Sequence, residues 1–346
     1  MNNLIFKIVT IVFFCGMIPL AGACQGSVPA EKIMFYNVEN LFDTDDDSLK
    51  SDEEFLPEGV RYWNNNRLFN KLTHISQVIM AASKGTFPSV IGLCEVENSK
   101  VLDLLLFKTP LGNLGYKYVH KESPDKRGID VAFLYKKDRF APLSYFAIPL
   151  VDLNDSTFKT RDILYVKGIL SSDTIHFFVN HWPSKYGGTL ETKSLRALAA
   201  KTLRTYTDSI LSTNNQSKII IMGDFNDSPI DESIKDVLEA KKAEQDIDEE
   251  SLYNLGIQAY EKGVGSNKYQ EKWELIDQFI VSGYLLNGKG LTTNTNQFSV
   301  FKAPFLVEKD ENHLGEKTNR TYVGFKYHGG FSDHLPILLD LQLRTD

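Results

Sequence analysis

Several short clusters of carboxylate, carboxamide and imidazole side chains occur along this chain, and each follows an apolar, strand-like run. In chain order the clusters are Asn37, Glu95, Asn180 with His181, Asp224 with Asn226, Asp277, and Asp333 with His334. Carboxylate and amide oxygens suit Mg²⁺, amides donate to phosphate oxygens, and an imidazole can carry a proton. Together these residue types indicate metal-assisted hydrolysis of a phosphoester.

Asp224 and Asn226 directly follow Gly223 and an apolar run at residues 219–222. Side chains two residues apart in an extended segment point the same way, so this pair can hold a cation and orient a phosphoryl oxygen together. Gly223 permits close approach of a phosphate or metal. A simple Asp/Asn turn after a strand is an equally good explanation of these residues alone.

Asp277 interrupts a mostly apolar run at residues 275–281, where a buried carboxylate needs a polar partner. His334 is a suitable partner, because the carboxylate would hold its imidazole in the tautomer that accepts a proton. A structural ion pair is the alternative. Structural explanations also remain open for His181, as a histidine in a fixed loop, and for Asn37, as a strand-end hydrogen-bonding group.

The order of these clusters resembles that of the endonuclease/exonuclease/phosphatase superfamily. The resemblance implies a four-layer α/β sandwich, in which two mixed, mostly antiparallel sheets pack face to face and are flanked by helices. It also implies direct attack of water, with Mg²⁺ or Mn²⁺ as the cofactor. By resemblance, the metal ligands are Glu95, Asn37 and Asp333, and the catalytic residues are His334, Asp277, His181, Asp224 and Asn226.

The resemblance gives each catalytic residue a role. Asp224 and Asn226 orient the water and the phosphate, while His334, polarised by Asp277, is the general base. His181 stabilises the phosphate or protonates the leaving group. Cys94 departs from the pattern, since many members carry Gln before the catalytic Glu95.

Two residues are predicted to bind the substrate. Asn180 stands beside His181, and Arg127 lies in a glycine-containing stretch at residues 126–130 that precedes a strand. A guanidinium can grip a phosphate oxygen through two hydrogen bonds. A loop cation that meets solvent alone is the alternative for Arg127.

The elements that position these residues alternate between strands and helices with no internal repeat, which predicts one α/β domain over residues 32–346. Periodicity predicts strands at 32–38, 89–95, 129–135, 163–170, 174–180, 219–222, 274–281 and 337–343, and helices at 66–82, 99–107 and 190–211. The acidic segment 43–54 is predicted to be a solvated loop, and residues 241–251 a loop or the end of a surface helix.

The first 23 residues are predicted to be a signal peptide, with Lys7, an apolar run at residues 8–20, and a small-residue cleavage site before Cys24. Lipidation of Cys24 would make a bacterial envelope lipoprotein attached to the membrane through a tether at residues 24–31. Simple cleavage would instead release a periplasmic or secreted protein. Cys94 is the one cysteine after residue 24, so no disulfide framework is expected. The protein is also predicted to be a monomer.

The net charge of −7 excludes a strongly basic protein that coats nucleic acid, but it leaves a nuclease with a locally basic groove. A nuclease or phosphodiesterase is the preferred function. The alternatives are a phosphatase or phosphodiesterase acting on lipid headgroups or on sugar or inositol phosphates, and a non-catalytic envelope binding protein. The polar-aromatic segment 301–330, including Arg320 and Lys326, is predicted to help set specificity, and residues 182–188 to form a wall of the cleft.

Overall fold

The computed structural model describes residues 30–185, 188–244 and 246–344. The predicted signal peptide, Cys24 with its lipidation, and most of the predicted tether lie outside these residues. Among the described helices, none combines the length and the apolar character needed to cross a bilayer.

Strands make up most of the regular structure. In chain order the strands are β1 (Glu31–Leu41), β2 (Val90–Val96), β3 (Tyr116–His120), β4 (Asp130–Lys136), β5 (Phe140–Ile148), β6 (Ile163–Leu170), β7 (Asp173–His181), β8 (Lys218–Asp224), β9 (Ala240–Lys242), β10 (Leu252–Asn254), β11 (Asn267–Tyr269), β12 (Lys272–Glu274), β13 (Asp277–Ser282), β14 (Gly290–Thr292), β15 (Phe298–Val300), β16 (Val307–Lys309), β17 (Glu316–Thr318), β18 (Tyr322–Val323), β19 (Lys326–Tyr327) and β20 (Ile337–Arg344).

The helices are fewer. The α-helices are α1 (Asn65–Ser83), α2 (Ser99–Phe107), α3 (Thr189–Thr213), α4 (Ile257–Glu261) and α5 (Gly283–Asn287), and the short 3₁₀ or π turns are Glu53–Phe55, Pro110–Leu114, Ser233–Val237, Thr295–Gln297 and Pro304–Leu306. Asn64 and Asn98 cap α1 and α2, because each side chain accepts a hydrogen bond from the backbone N–H three residues on.

Two large sheets carry the fold. The first has the order β14–β20–β1–β2–β4–β3, with β15 also paired to β20, and the second has the order β5–β6–β7–β8–β13–β10–β9. Most neighbours are antiparallel, but β1 and β2 are parallel in the first sheet, as are the pairs β7–β8 and β9–β10 in the second. The predicted architecture of two mixed sheets with flanking helices is confirmed.

Alternation along the strands divides the core into three apolar layers. Phe35, Met222 and Phe279 belong to the layer between the two sheets. Their sequence neighbours point outward, and the outward face of the first sheet packs with α1 and α2 while that of the second packs with α3. Because side chains of a strand alternate between faces, residues two positions beyond an inter-sheet core residue also enter the inter-sheet layer. This parity decides which polar residues meet at the strand ends.

Some elements differ from the sequence-based prediction. The strands β3 and β5 were not predicted, and the predicted strand 274–281 begins instead at Asp277, since Glu274 ends the separate strand β12. The acidic segment 43–54 is not fully solvated, because Asp43 and Asp52 are buried. Hydrogen bonds offset the cost of burying them: Asp43 accepts from Asn98 Nδ2, and Asp52 accepts from the N–H of Asp47.

Candidate active site

Three strands of the second sheet bring His181, Asp224 and Asp277 into one row. His181 of β7 is the register partner of Asp224 of β8, which is in turn the partner of Asp277 of β13. Each stands two residues from an apolar side chain of the inter-sheet core, so all three point into the gap between the sheets. The apolar layer therefore ends in a polar row.

The first sheet supplies Asn37 and Glu95 to the same gap. Asn37 follows Phe35 by two residues, so strand parity aims it inward. Glu95 would point outward in a regular strand, but its φ of 61° and a shift in register after Cys94 turn its side chain toward the gap. A bulge of this kind re-aims one side chain at a strand end.

Asn37 connects the two sheets. Its Nδ2 donates to Glu95 Oε1 at 3.3 Å and to Asp224 Oδ2 at 3.0 Å. The backbone N–H of Asn40 donates to the other oxygen of Glu95 at 2.9 Å. One amide thus sets the spacing of two carboxylates that come from different sheets.

His334 lies beside this row and forms a pair with Asp277. Its Nδ1 is 2.6 Å from Asp277 Oδ2, which also accepts from Ser266 Oγ at 2.5 Å, and its Nε2 is 3.7 Å from Asp224 Oδ2. Burial alone would lower the pKa of His334, but the charges of Asp277 and Asp224 raise it well above its ordinary value. Nδ1 therefore donates to Asp277, and Nε2 is the nitrogen that can exchange a proton.

His181 is held in the opposite protonation state. Its Nε2 lies 4.0 Å from Glu95 Oε1 and 3.8 Å from Asp224 Oδ2, while its buried Nδ1 has no hydrogen-bond partner. Burial, together with the positive charge of Arg161 and Arg127, lowers the pKa of His181 well below its ordinary value. The imidazole is therefore neutral near pH 7.

Asp224 is a fully buried carboxylate, and its charged form is destabilised mainly by that burial. Burial raises the pKa of Asp224 to about 7, with a further contribution from Asp277, although His334 acts in the opposite direction. A carboxylate in this state is stabilised by a cation nearby. The adjacent Glu95 offers a second carboxylate, so the residues present fit a divalent metal with oxygen ligands.

Asp333 faces the cavity from the segment before β20. Its Oδ2 accepts from Arg320 Nη2 at 2.9 Å, and its backbone oxygen accepts from Asn267 Nδ2 at 2.9 Å. Arg320 also donates to Glu39 Oε1 at 3.1 Å, and Lys71 lies 4.0 Å from the same carboxylate. Although burial would raise it, the charges of Arg320, His334 and Lys71 lower the pKa of Asp333, so it is ionised.

Asn226 and Asn180 have different surroundings. Asn226 lines the cavity, with a φ of 52° and with its Nδ2 donating to the carbonyl oxygen of Trp182 at 3.0 Å. Asn180 is fully buried, its Nδ2 directed at the carbonyls of Phe178 and Met222, and its Oδ1 accepting from Trp182 Nε1 at 3.1 Å. The prediction that Asn180 contacts substrate does not fit this position, because strand parity places it on the face opposite His181.

A cavity of about 670 Å³ opens over the polar row. It is lined by Glu95, Arg127, Arg161, His181, Ser184, Lys185, Asp224, Asn226, Asn267, Tyr269, Glu274, Ile276, Asp333 and His334. Asn37 and Asp277 are buried behind this lining. Ser184 and Lys185 agree with the predicted wall at residues 182–188. Tyr186 and Gly187 of that wall lie outside the described residues.

The cations at the cavity differ in their partners. Arg161 Nη1 contacts Asp125 Oδ2 at 3.1 Å, and Lys185 lies 3.7 Å from Asp227 Oδ1. Arg127 Nη2 donates instead to the amide oxygen of Asn40 at 2.6 Å, which is a neutral partner. Arg127 therefore presents its charge to the cavity, and its contact with the substrate stays a prediction.

The predicted specificity segment 301–330 does not line this cavity. Arg320 is occupied by Glu39 and Asp333, and Lys326 lies in the separate hairpin of β18 and β19. The hairpin of β11 and β12 takes this place and contributes Asn267, Tyr269 and Glu274. Its sequence lacks apolar alternation, and the signal that it offers is one aromatic residue among polar ones on each strand, Tyr269 and Trp273.

Comparison with known proteins places this geometry in context. A model of the Endonuclease/Exonuclease/phosphatase family matches residues 32–343. A search of curated proteins finds no match.

Solved structures with the same fold include three in which the protein is named. A humanised TDP2 of D. rerio has 14% identity and a TM-score of 0.55, covering 90% of this chain and 98% of its own. The human Nocturnin catalytic domain, with bound sulfate, has 15% identity and a TM-score of 0.53, covering 92% and 96%. A mannosyl-6-phosphatase of Bacteroides thetaiotaomicron has 15% identity and a TM-score of 0.53, covering 90% and 99%. At these identities the likeness establishes the fold.

Proposed function

Since this chain belongs to the endonuclease/exonuclease/phosphatase family, whose members are phosphoester hydrolases, we propose that it hydrolyses phosphoesters with the help of a divalent metal. One observation carries the proposal: carboxylates of two sheets and the His334–Asp277 pair converge at the floor of one cavity. A non-catalytic binding protein would have no need of a histidine held by a buried carboxylate.

Glu95 is the proposed principal metal ligand, with Asn37 and Asp333 beside it and Mg²⁺ as the ion, replaceable by Mn²⁺. Oxygen ligands suit both ions, and Mg²⁺ needs only a few from the protein because it keeps several waters. When bound, the cation would neutralise charge on the phosphoryl oxygens and offset the carboxylates that retain the proton on His334.

His334 is the proposed proton acceptor. Asp277 fixes its Nδ1 as the donor atom, which leaves Nε2 to accept the proton from water. Asp224 and Asn226 orient that water and the phosphate, since both line the cavity within reach of Nε2 or of the phosphate site. Attack by water needs no covalent intermediate with the enzyme.

His181 is proposed to bind a phosphoryl oxygen. Because its pKa is lowered, its imidazole is neutral near pH 7 and lacks the second ring proton that a general acid would give to a leaving group. Its Nε2, directed between Glu95 and Asp224, can still donate a hydrogen bond. Arg127 is proposed to bind a second phosphate oxygen.

A compact phosphoester fits the cavity better than a duplex. A volume of about 670 Å³ is typical of a small-molecule site, and the acidic residues Glu274 and Asp333 interrupt any basic track along its edge. Tyr269, 65% exposed, offers an aromatic face on which a sugar or a base can stack. A nucleic acid remains the second candidate, entering as a single strand with one terminal nucleotide over Tyr269.

The test is hydrolysis by the purified protein with Mg²⁺, with Mn²⁺ and with EDTA. The substrates are p-nitrophenyl phosphate, bis-(p-nitrophenyl) phosphate, a hexose 6-phosphate and single-stranded DNA. We expect metal-dependent turnover that His334→Ala abolishes and His328→Ala leaves unchanged, because His328 pairs with Glu308 away from the cavity. Equal turnover in EDTA, or full activity of a folded His334→Ala protein, would contradict the proposal.

A further inference from the structure

A second cluster of metal-type ligands lies behind the loop that carries Arg127. His120 ends β3, Glu122 follows two residues later, and Asp130 begins β4. One ligand atom of each residue lies within 4.8 Å of those of the other two. None of the three lines the catalytic cavity.

Two buried polar atoms of this cluster have no hydrogen-bond partner. His120 Nε2 and Asp130 Oδ2 are 3.4 Å apart, and their side chains are 4% and 2% exposed. The other oxygen of Asp130 accepts from the N–H of Ser123 at 3.0 Å, so Oδ2 is the oxygen that faces His120 Nε2. Burial and the negative charge of Asp130 raise the pKa of the nearby Glu122. Leaving a nitrogen and an oxygen buried and unbonded is costly, and a shared ligand between them would remove that cost.

The spacing of the two atoms is that of neighbouring ligands around one ion. Metal–ligand bonds of about 2.0–2.2 Å in tetrahedral geometry place neighbouring ligand atoms about 3.3–3.6 Å apart. The side chain of Glu122 is 58% exposed, and its Oε1 lies 3.9 Å from His120 Nδ1. It can therefore swing toward the pair without disturbing the core.

The surroundings are negative. Asp162 has a buried Oδ1 with no hydrogen-bond partner, and burial together with the charge of Asp130 raises the pKa of Asp162 to about 6. Lys50 adds positive charge near Glu122, but its ammonium donates to the carbonyls of Ser123 and Asp125 at 2.8 and 3.1 Å. The carboxyl groups of Glu122, Asp130 and Asp162 thus outnumber the nearby ammonium group of Lys50.

We propose that His120, Glu122 and Asp130 bind a second divalent cation, separate from the catalytic one. An imidazole nitrogen with carboxylate oxygens favours Zn²⁺ over Mg²⁺, so Zn²⁺ is the expected ion. Two of the ligands lie at the start of the segment 120–130 and one at its end. The ion would clip the two ends of the segment together and hold Arg127 at the cavity.

The test is the zinc content of the purified protein after equilibrium dialysis, measured by elemental analysis. A Glu95→Gln/Asp224→Asn background removes Glu95 and the one residue shared by the groups Cys94–His181–Asp224 and Asp224–Asp277–His334, so that zinc bound at the catalytic site does not enter the count. We expect one equivalent in that background, and at least about a tenfold loss of affinity on adding Glu122→Gln or Asp130→Asn.

A matched control is available in Glu271→Gln. Glu271 is also exposed and lies 3.8 Å from His313, so it reproduces the Glu–His spacing outside the cluster. We expect its zinc affinity to be unchanged. Asp130→Asn can fail by unfolding, but Glu122 is exposed and its variant should fold. Unchanged zinc binding in folded Glu122→Gln, or a loss equal to that of Glu271→Gln, would overturn the proposal, and hydrolysis at the catalytic site bears on neither result.

Discussion

Replacing Asp277 by Asn separates the proton-transfer role of the His334 pair from substrate binding. The carboxylate is buried behind the cavity lining and cannot touch the substrate, yet it lies 2.6 Å from His334 Nδ1. The variant keeps the shape of the side chain and removes its charge. We therefore expect kcat to fall while KM stays nearly constant.

The size of the fall follows from two effects. A hydrogen bond to a charged group contributes about 1.5–3 kcal/mol, which corresponds to about 10-fold to 150-fold in rate. If the amide nitrogen introduced by Asp277→Asn faces Nδ1, the imidazole proton moves to Nε2, and that nitrogen can no longer accept a proton. The corresponding change in a Ser–His–Asp triad costs about 10⁴, so kcat should fall by between about 10² and 10⁴.

The assay is a pH–rate profile with saturating metal, together with Tm to verify folding. Asp277 helps to raise the pKa of His334, so its removal should move the acidic limb of the profile to lower pH. Ser266→Ala is the matched control, because the Ser266 hydroxyl donates to the same Asp277 oxygen and its loss leaves the carboxylate charge beside His334 in place. Its loss should lower kcat by about tenfold at most, the low end expected for a hydrogen bond to a charged group. A fall no larger than that control, or an acidic limb that does not move, would refute the role of His334 as base.

Three further outcomes are expected. Tyr269→Ala should raise KM for an aromatic phosphoester by about 5–100-fold and leave KM for methyl phosphate, which has no ring to stack, unchanged. Tyr269→Phe should behave like the parent, and equal effects of Tyr269→Ala on both substrates would rule out stacking. Burial and the charge of Asp43 raise the pKa of Glu97 to about 8 from 4.5, so this carboxyl is protonated in the folded protein and ionised in the unfolded chain between these values, and stability falls as pH rises through that window. Glu97→Gln should remove up to about 5 kcal/mol of this fall in the free energy of unfolding. The Tm of the variant should therefore exceed that of the parent near pH 8 and match it near pH 4. A Tm difference that is the same at both pH values would contradict the assignment. Gly223→Ala should lower stability by about 1–3 kcal/mol in urea unfolding, because its Cβ would stand 2.5 Å from the carbonyl oxygen of Asn180; an unchanged midpoint would show that β7 can shift.

Apolar runs were enough to locate the strands whose side chains are buried. The predicted strand 163–170 matches β6, and the predicted helix 99–107 matches α2. The edge strand β5 escaped prediction because most of its side chains are exposed, which removes the alternation on which the prediction depends. Short hairpins such as β11–β12 leave no periodic signal at all.

The order of the clusters along the chain was enough to predict that their side chains meet at one site. It was not enough to predict which residues surround and orient those side chains. Strand parity could have shown that Asn180 and His181 face opposite ways, because they are adjacent in one strand. The bulge that turns Glu95 inward and the pairing of Arg320 with Glu39 depend on contacts between distant segments. Local sequence carries no record of either.

The bridge made by Asn37 means that the two halves of the site are fixed to opposite walls of the protein interior. The separation of Glu95 from Asp224 consequently depends on the distance between the two sheets and is not set by a loop alone. Gly92 illustrates the sensitivity, since a Cβ there would stand 2.9 Å from the terminal carbon of Met222 across the gap. A methyl group placed there would first displace the flexible end of Met222, and any strain that remained would widen the spacing of the two sheets, on which the separation of Glu95 from Asp224 depends.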